Sequence, residues 1–113
     1  MNLYEYLDCN VFVGLKNLND GFDAGSIKYF SAEEFETVLR RVEGLEVEIV
    51  GLEPWSANGF YDVKCQADYE GELGDETLWY WRAFADFKQK KSTLLYSATF
   101  KWSDGGLYEK EEH

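Results

Sequence analysis

The densest cluster of groups able to do chemistry in this sequence is a run of acidic residues in its second half. Five carboxylates occur there, and no lysine or arginine lies between Gln66 and Tyr80; the five are Asp68, Glu70, Glu72, Asp75 and Glu76. Carboxylates accept strong, charge-assisted hydrogen bonds from arginine and lysine. With Tyr69 as an aromatic anchor, the run predicts a surface that binds a basic partner. The alternative interpretation is a solvated loop that keeps the protein soluble.

A second set of candidate partner-binding residues belongs to the predicted central strands. Trp55 follows Glu53 by two positions, on a predicted connection, and is a candidate anchor. The alternative is that its indole folds back over the edge of the core. Three further carboxylates are expected to project from the sheet face opposite the apolar one and to form an acidic platform. They are Glu46, Glu48 and Asp62.

Groups that could support catalysis or bind a metal are sparse. The only histidine is His113, in an acidic tail, and neither Cys9 nor Cys65 has a histidine partner to activate it. The loop Asn17–Gly25 has a glycine at the sixth position of a calcium loop counted from Asp20, but its third, fifth and twelfth positions carry no carboxylate. We therefore expect no catalytic residue, no metal and no cofactor, and we predict a protein that is not an enzyme.

The overall charge narrows the class of partner. Twenty-two acidic residues against eleven basic ones give a net charge of −11 at pH 7. A composition that is 45% hydrophobic and 18% aromatic is nevertheless that of a folded protein, and we expect one domain over residues 1–113. Such a surface repels nucleic acid and anionic membranes and attracts basic proteins by long-range steering.

The compartment expected from the sequence is the cytoplasm. The chain does not begin with a basic stretch followed by an apolar core, and no apolar run reaches the roughly 20 residues needed to cross a bilayer. Cys9 and Cys65 are expected to be free and mostly buried thiols, as in a reducing compartment. We therefore expect no contact with a membrane.

Two helices are predicted. The first begins at Ser31, which with Glu34 forms a capping box, and Gly44 is a natural stop. Its apolar stripe has the spacing i, i+3, i+4 and i+7: Phe35, Val38, Leu39 and Val42. The second is favoured over residues 77–91, where acids precede the segment and lysines end it. The aromatic alternation of the same segment leaves a strand as the alternative.

Alternation of apolar and polar residues predicts four strands. They cover Cys9–Lys16, the stretch from Leu45 that Pro54 ends, Tyr61–Tyr69 and Thr93–Trp102. Val63 and Cys65 are expected on the buried face of the third. The predicted order is β-α-β-β-α-β, a ferredoxin-like α+β sandwich with an antiparallel sheet and both helices on one face. If residues 77–91 form a strand, the alternative is one helix packed on a larger antiparallel sheet.

The first half of the chain resembles a class of small bacterial proteins. The stretches that carry the resemblance run from Val11 to Asp23, from Ile27 to Glu43 and from Gly51 to Trp55. They look like the immunity proteins encoded beside polymorphic toxins, including those of contact-dependent growth inhibition systems. The resemblance implies a cytosolic, non-enzymatic protein whose partner is a toxin domain, and it transfers no residue roles.

The predicted function is therefore an immunity protein that binds a toxin, foremost a nuclease, and occludes its basic active site. One alternative is an acidic nucleic-acid mimic of phage or plasmid origin, of the anti-restriction or anti-CRISPR type, in which carboxylates copy phosphate spacing. Another is a small-molecule module with a pocket built from Trp79, Trp81 and Trp102. Ordinary core packing is the simpler interpretation of those tryptophans.

Overall fold

Residues 2–25, 27–56, 59–60, 62–65, 79–91 and 93–103 are those that the computed structural model describes. They form three helices and four strands: α1 (Leu3–Asn10), α2 (Ala32–Val42), β1 (Val47–Ser56), β2 (Gly59–Phe60), β3 (Lys64–Cys65), α3 (Trp79–Lys90) and β4 (Leu95–Trp102). The predicted α+β class is confirmed.

β1 is the centre of one antiparallel sheet. β4 pairs with one edge of β1 along most of its length, from Val47 to Trp55. The two short strands pair with the other edge, β2 at the Ser56 end and β3 near Gly51. Every pair of neighbouring strands is antiparallel, as predicted.

An aromatic core joins the helices to the sheet. Tyr6 of α1 meets Trp102 of β4 edge-on, with ring centroids 4.9 Å apart. Phe35 of α2 stacks on Tyr96 at 5.4 Å, and Phe84 of α3 meets the same tyrosine ring at 5.0 Å. Side chains of alternate residues in a strand share a face, so Tyr96 and Trp102 place all three helices on one side of the sheet.

The N-terminal helix α1 shows that the predicted first strand, Cys9–Lys16, is wrong. Asn2 begins the helix with a complete capping box, because its side chain accepts the Glu5 amide at 2.9 Å and its own amide donates to Glu5 at 3.3 Å. After Asn10 the chain turns, and Gly14 takes a positive φ of 80°. The described elements follow the order ααβββαβ, and the ferredoxin-like order is not confirmed.

The helix predicted after Ser31 is confirmed as α2. The hydroxyl of Ser31 accepts the amide of Glu34 at 3.3 Å. The carboxylate of Glu34 accepts the backbone amide of Lys16 at 2.9 Å instead of that of Ser31, so only half of the predicted capping box forms and the loop after α1 is tied to the start of α2. All four residues of the predicted apolar stripe are buried: Phe35, Val38, Leu39 and Val42.

The helical interpretation of residues 77–91 is confirmed for Trp79–Lys90, which form α3, and the alternative of a strand is wrong there; residues 77 and 78 lie outside the described residues. The apolar side of α3 is buried against the sheet, through Trp79, Tyr80, Ala83, Phe84 and Phe87. Lys88 and Lys90 lie in the last turn, where positive charge interacts favourably with the helix dipole. The local charge pattern therefore indicated the right structure where aromatic alternation did not.

Pro54 does not end β1 as predicted, but lies inside it, opposite Tyr96. The backbone amide and carbonyl of Tyr96 both bond to Phe30, at 2.8 Å each, on the side away from β1. The Pro54–Tyr96 pair therefore has no ladder bonds between the two strands. The missing amide of Pro54 faces β2 and β3, where the pairing register shifts by one residue. Proline is tolerated in a sheet at such irregularities.

The same shift explains why Val63 and Cys65 do not lie on the buried face predicted for them; Tyr61 and residues 66–69 of that predicted strand lie outside the described residues. Val63 is 49% exposed and lies outside any strand, and Cys65 is half-buried opposite Gly51. A one-residue slip moves side chains to the opposite face of a sheet. Cys9, at the end of α1, is exposed. Cys9 and Cys65 form no disulfide with each other, as expected, but the expectation that they are mostly buried is wrong.

We expect Phe35→Ala to reduce the free energy of unfolding by about 3–5 kcal/mol, because the ring is buried and its removal leaves a cavity between α2, α3 and β4. Urea denaturation followed by circular dichroism measures the change. Val13→Ala is the control, since Val13 is 53% exposed and its truncation should cost less than about 0.5 kcal/mol. Equal effects of the two substitutions would contradict the described core.

Candidate functional site

Two of the predicted partner-binding carboxylates, Glu48 and Glu53, lie together on the sheet face opposite the helices. The pairing of β1 with β4 shifts between Ile49 and Gly51, so that Val50 is an extra residue in β1. Such a bulge inverts the alternation of faces along a strand. An even-numbered and an odd-numbered glutamate consequently project from the same side of the sheet.

Each of these carboxylates has a partner on β4. The ammonium of Lys101 lies 3.2 Å from Glu48 Oε1, and both side chains are about half exposed. An exposed pair of this kind contributes at most about 1 kcal/mol. Thr99 Oγ1 donates a hydrogen bond to Glu53 Oε1 at 2.8 Å. The face that the sequence predicted to be an acidic platform therefore also carries a lysine.

The other predicted partner-binding residues lie apart from this pair or outside the described residues. Glu46 precedes β1 and is exposed. Asp62 lies between β2 and β3, where its carboxylate accepts the amide of Val63 at 2.7 Å. The acidic run lies wholly outside the described residues: Asp68, Tyr69, Glu70, Glu72, Asp75 and Glu76. A role in binding for these residues stays a prediction.

Trp55 lies in β1, and its half-buried indole packs against the loop of residues 17–29. It stacks on Phe22, with ring centroids 5.0 Å apart, and meets Tyr29 edge-on at 5.7 Å. The indole is thus held within the chain at the edge of the sheet. Its contribution to partner binding stays a prediction.

The side chain of Asn19 makes five of the hydrogen bonds that hold the loop covering this end of the sheet. Asn19 Nδ2 donates to the carbonyl oxygens of Asp23, Ala24 and Ile27, at 3.3, 2.9 and 2.8 Å. Its Oδ1 accepts the amides of Gly21 and Asp23, at 3.1 and 3.3 Å. Asparagine side chains commonly form such local bonds in turns. These bonds account for the turn-rich loop that the sequence pattern predicts.

Tyr29 has the most perturbed titration among the described residues. Its hydroxyl donates to Asp23 Oδ2 at 2.7 Å, and its ring is buried. Burial, the hydrogen bond to Asp23, and the negative charges of Asp23 and Glu53 all raise the pKa of Tyr29 well above its ordinary value. The neutral form is favoured because ionisation would place a third negative charge beside two carboxylates.

A cavity of about 350 Å³ opens beside β4, and the sequence analysis did not predict it. α1, the turn after it, the segment 27–30, α2 and β4 contribute its apolar lining, which includes Leu7, Phe12, Phe30, Phe35 and Phe100. The ring of Phe12 lies 5.3 Å from that of Phe30 and 5.6 Å from that of Phe100. Apolar cavities of this volume are typical of small-ligand and peptide side-chain pockets.

Charged and exposed groups surround the cavity. Asp8 of α1 and Lys28 form an ion pair at 2.9 Å, and both line the cavity together with Glu53. Tyr4 also lines it and is 71% exposed, the largest exposure among the large hydrophobic residues described. The cavity thus combines an apolar interior with an aromatic side chain free to contact a partner.

The cavity is not the tryptophan pocket that the sequence suggested as an alternative, since no tryptophan lines it. Trp79 and Trp102 are buried in the core, as the simpler interpretation expected. Trp81 Nε1 donates instead to the carboxylate of Glu43, at 3.1 Å. The one local signal for the actual cavity is the Asn2–Glu5 capping spacing, which marks α1, the element that forms one wall.

The chain matches no protein-family model, no curated protein and no solved structure. Within the ranges described above, no group of three or more histidine, cysteine or acidic side chains is placed to hold a metal ion. No helix in those ranges is long and apolar enough to cross a membrane.

Tyr29→Phe should lower the free energy of unfolding at pH 7 by about 1.5–3 kcal/mol, the value of a hydrogen bond to a charged acceptor. Because the folded state holds the Tyr29 proton more tightly than the unfolded state, the native residue loses its advantage above its ordinary pKa near 10. The difference between the two proteins should shrink by about 1.4 kcal/mol between pH 7 and pH 11. Urea denaturation at several pH values measures it, and a constant difference would contradict the described environment.

Proposed function

We propose that this protein is an immunity protein that binds a bacterial toxin, of the nuclease class, and neutralises it by occluding the toxin's basic active site. The partner is a protein and not a nucleic acid, because the same negative field that attracts basic proteins repels polyanions. The immunity protein takes no part in chemistry and needs no cofactor for this role.

The observation that carries the proposal is the excess of carboxylates in a folded chain. Eleven basic residues can neutralise at most eleven of the twenty-two acidic ones by one-to-one pairing, which leaves eleven carboxylates over. A folded protein with this composition keeps its surplus negative charge near the surface, where desolvation does not oppose it. These surplus carboxylates are not paired one-to-one with basic side chains of the protein and can interact with a partner.

The physics of association makes such a surface suited to rapid inhibition. Nucleases are basic where they bind nucleic acid, and complementary charge raises association rates towards the diffusion limit. Arginine and lysine side chains of the toxin would bond to carboxylates of the inhibitor as they would to phosphates. The acidic run at residues 68–76 and the face that carries Glu48 and Glu53 are the surfaces that we propose for this contact.

Reversal of four charges in the acidic run tests the proposal. We expect the combined variant Glu70→Lys, Glu72→Lys, Asp75→Lys and Glu76→Lys to bind at least about 100-fold more weakly to a nuclease toxin that the native protein binds, because like charges would then face the toxin. The dissociation constant is measured by calorimetry, with circular dichroism to confirm that the variant is folded.

The matched control reverses four carboxylates near the C-terminal end and so changes the net charge by the same amount: Asp104, Glu109, Glu111 and Glu112. We expect it to bind within about threefold of the native protein if the acidic run makes direct contacts. An equal loss of affinity in both variants would show that the acidic run acts only through the net charge of the protein and makes no direct contacts. An absence of binding by the native protein would refute the proposal.

A further inference from the structure

We infer that the outer edge of β4 binds an extended peptide segment of a basic partner protein as an additional strand. This inference deepens the proposed function and rests on it for the basic character of the partner. Backbone groups of β4 would pair with the partner's main chain, and the cavity would receive its side chains.

The direction of the backbone groups in β4 follows from Tyr96. Its amide and carbonyl both bond to Phe30, at 2.8 Å each, and so point away from β1. Successive residues of an antiparallel strand point these groups to opposite sides. The backbone groups of Ala98 and Phe100 therefore point outward as well. The amide of Ser103 donates to the backbone carbonyl oxygen of Glu46, just before β1, at 2.9 Å. Odd-numbered residues of this segment therefore direct their backbone groups towards β1.

Pairing along this outer edge stops after one residue pair. In the described part of the chain, Phe30 forms the isolated bridge to Tyr96, and no backbone or side-chain group bonds to Ala98 or Phe100 on that side. An edge of this kind is a template for another strand. The bridge at Phe30 marks the end at which an added strand would have to stop.

The cavity lies directly beside these unpaired groups. Ala98, Thr99 and Phe100 line it from β4, and Leu3, Tyr4 and Leu7 line it from α1. Binding by strand addition gains affinity from the main chain and specificity from pockets that accept alternate side chains. Here both features occur together, since the edge groups and an apolar pocket share the same residues.

Charge decides between a foreign peptide and a second copy of the chain as the occupant. The cavity contains two carboxylates, Asp8 and Glu53, and one cation, Lys28, within a protein of net charge −11. Two such chains repel one another, whereas a peptide that alternates apolar and basic residues is attracted. The occupant we infer is therefore a basic segment whose apolar side chains enter the cavity.

Hydrogen exchange in the free protein provides the first test. We expect the amides of Ala98 and Phe100 to exchange at least about 100-fold faster than those of Ser97 and Thr99, which face β1. Two-dimensional NMR resolves each amide. Equal protection of both pairs at low protein concentration would show that the edge is already covered. Protection of the outer pair that grows with protein concentration would assign the edge to a second copy. Either result overturns the inference.

Two methylated peptides provide the second test. The probe is a blocked hexapeptide that alternates valine and arginine, and it should protect Ala98 and Phe100 from exchange. Methylation of either all valine amides or all arginine amides removes the donors on one side of the peptide strand. We expect one of the two methylated peptides to bind at least about tenfold more weakly and the other to bind as the parent does. Equal affinities would refute strand addition.

A substitution in the protein provides the third test. Ala98→Pro removes the outward amide and no bond to β1, and it should weaken binding of the valine–arginine peptide at least about tenfold. Ala98→Ser keeps the amide and should bind within about twofold. If the proline variant does not fold, the methylated peptides still decide the question.

The two proposals can fail separately. Toxin binding that depends on the acidic run but not on Ala98→Pro would refute strand addition and leave the proposed function intact. Peptide addition at β4, together with an absence of toxin binding by the native protein, would refute the proposed function and leave strand addition intact.

Discussion

The backbone of Tyr96 bonds to Phe30 instead of to β1, and much of the molecule follows from this orientation. The residue opposite Tyr96 in the central strand needs no amide on that side, so Pro54 is accommodated within β1. The ring of Tyr96 points to the other layer, where it packs against Phe35 and Phe84. One residue thus connects α2, α3, the central strand and the outer edge of the sheet.

Elements with local signals were predictable from the sequence. The start of α2 depends on Ser31 and on a stripe with helical spacing, both of which are visible in a few residues. α3 was recoverable from its charge pattern, although its aromatic residues suited a strand equally well. The capping pair Asn2 and Glu5 is also a local signal, but it was not used. The apolar alternation of residues 9–16 indicated a strand that does not form, and the helix that precedes it buries Tyr6 and Leu7 in the core.

Features that depend on contacts between distant residues were not predictable. Pro54 is accommodated within β1 because the backbone groups of Tyr96, opposite it, point away from β1 and towards Phe30, and the common face of Glu48 and Glu53 requires the bulge at Val50. The cavity is lined by stretches that lie far apart in the sequence: residues 3–12, residues 27–35, Glu53 and residues 97–100. Glu48 and Glu53 were candidate residues from the sequence, but nothing local in the sequence indicates that Lys101 pairs with Glu48 or that Thr99 bonds to Glu53.

The central claim is that surplus negative charge brings a basic toxin to this protein. The most direct test is the association rate constant of the native protein with the toxin, measured by stopped flow from low to high ionic strength. Steering by charge predicts a fall of roughly 10- to 100-fold, because salt screens attraction between separated charges. A rate constant that does not change with ionic strength would contradict the account.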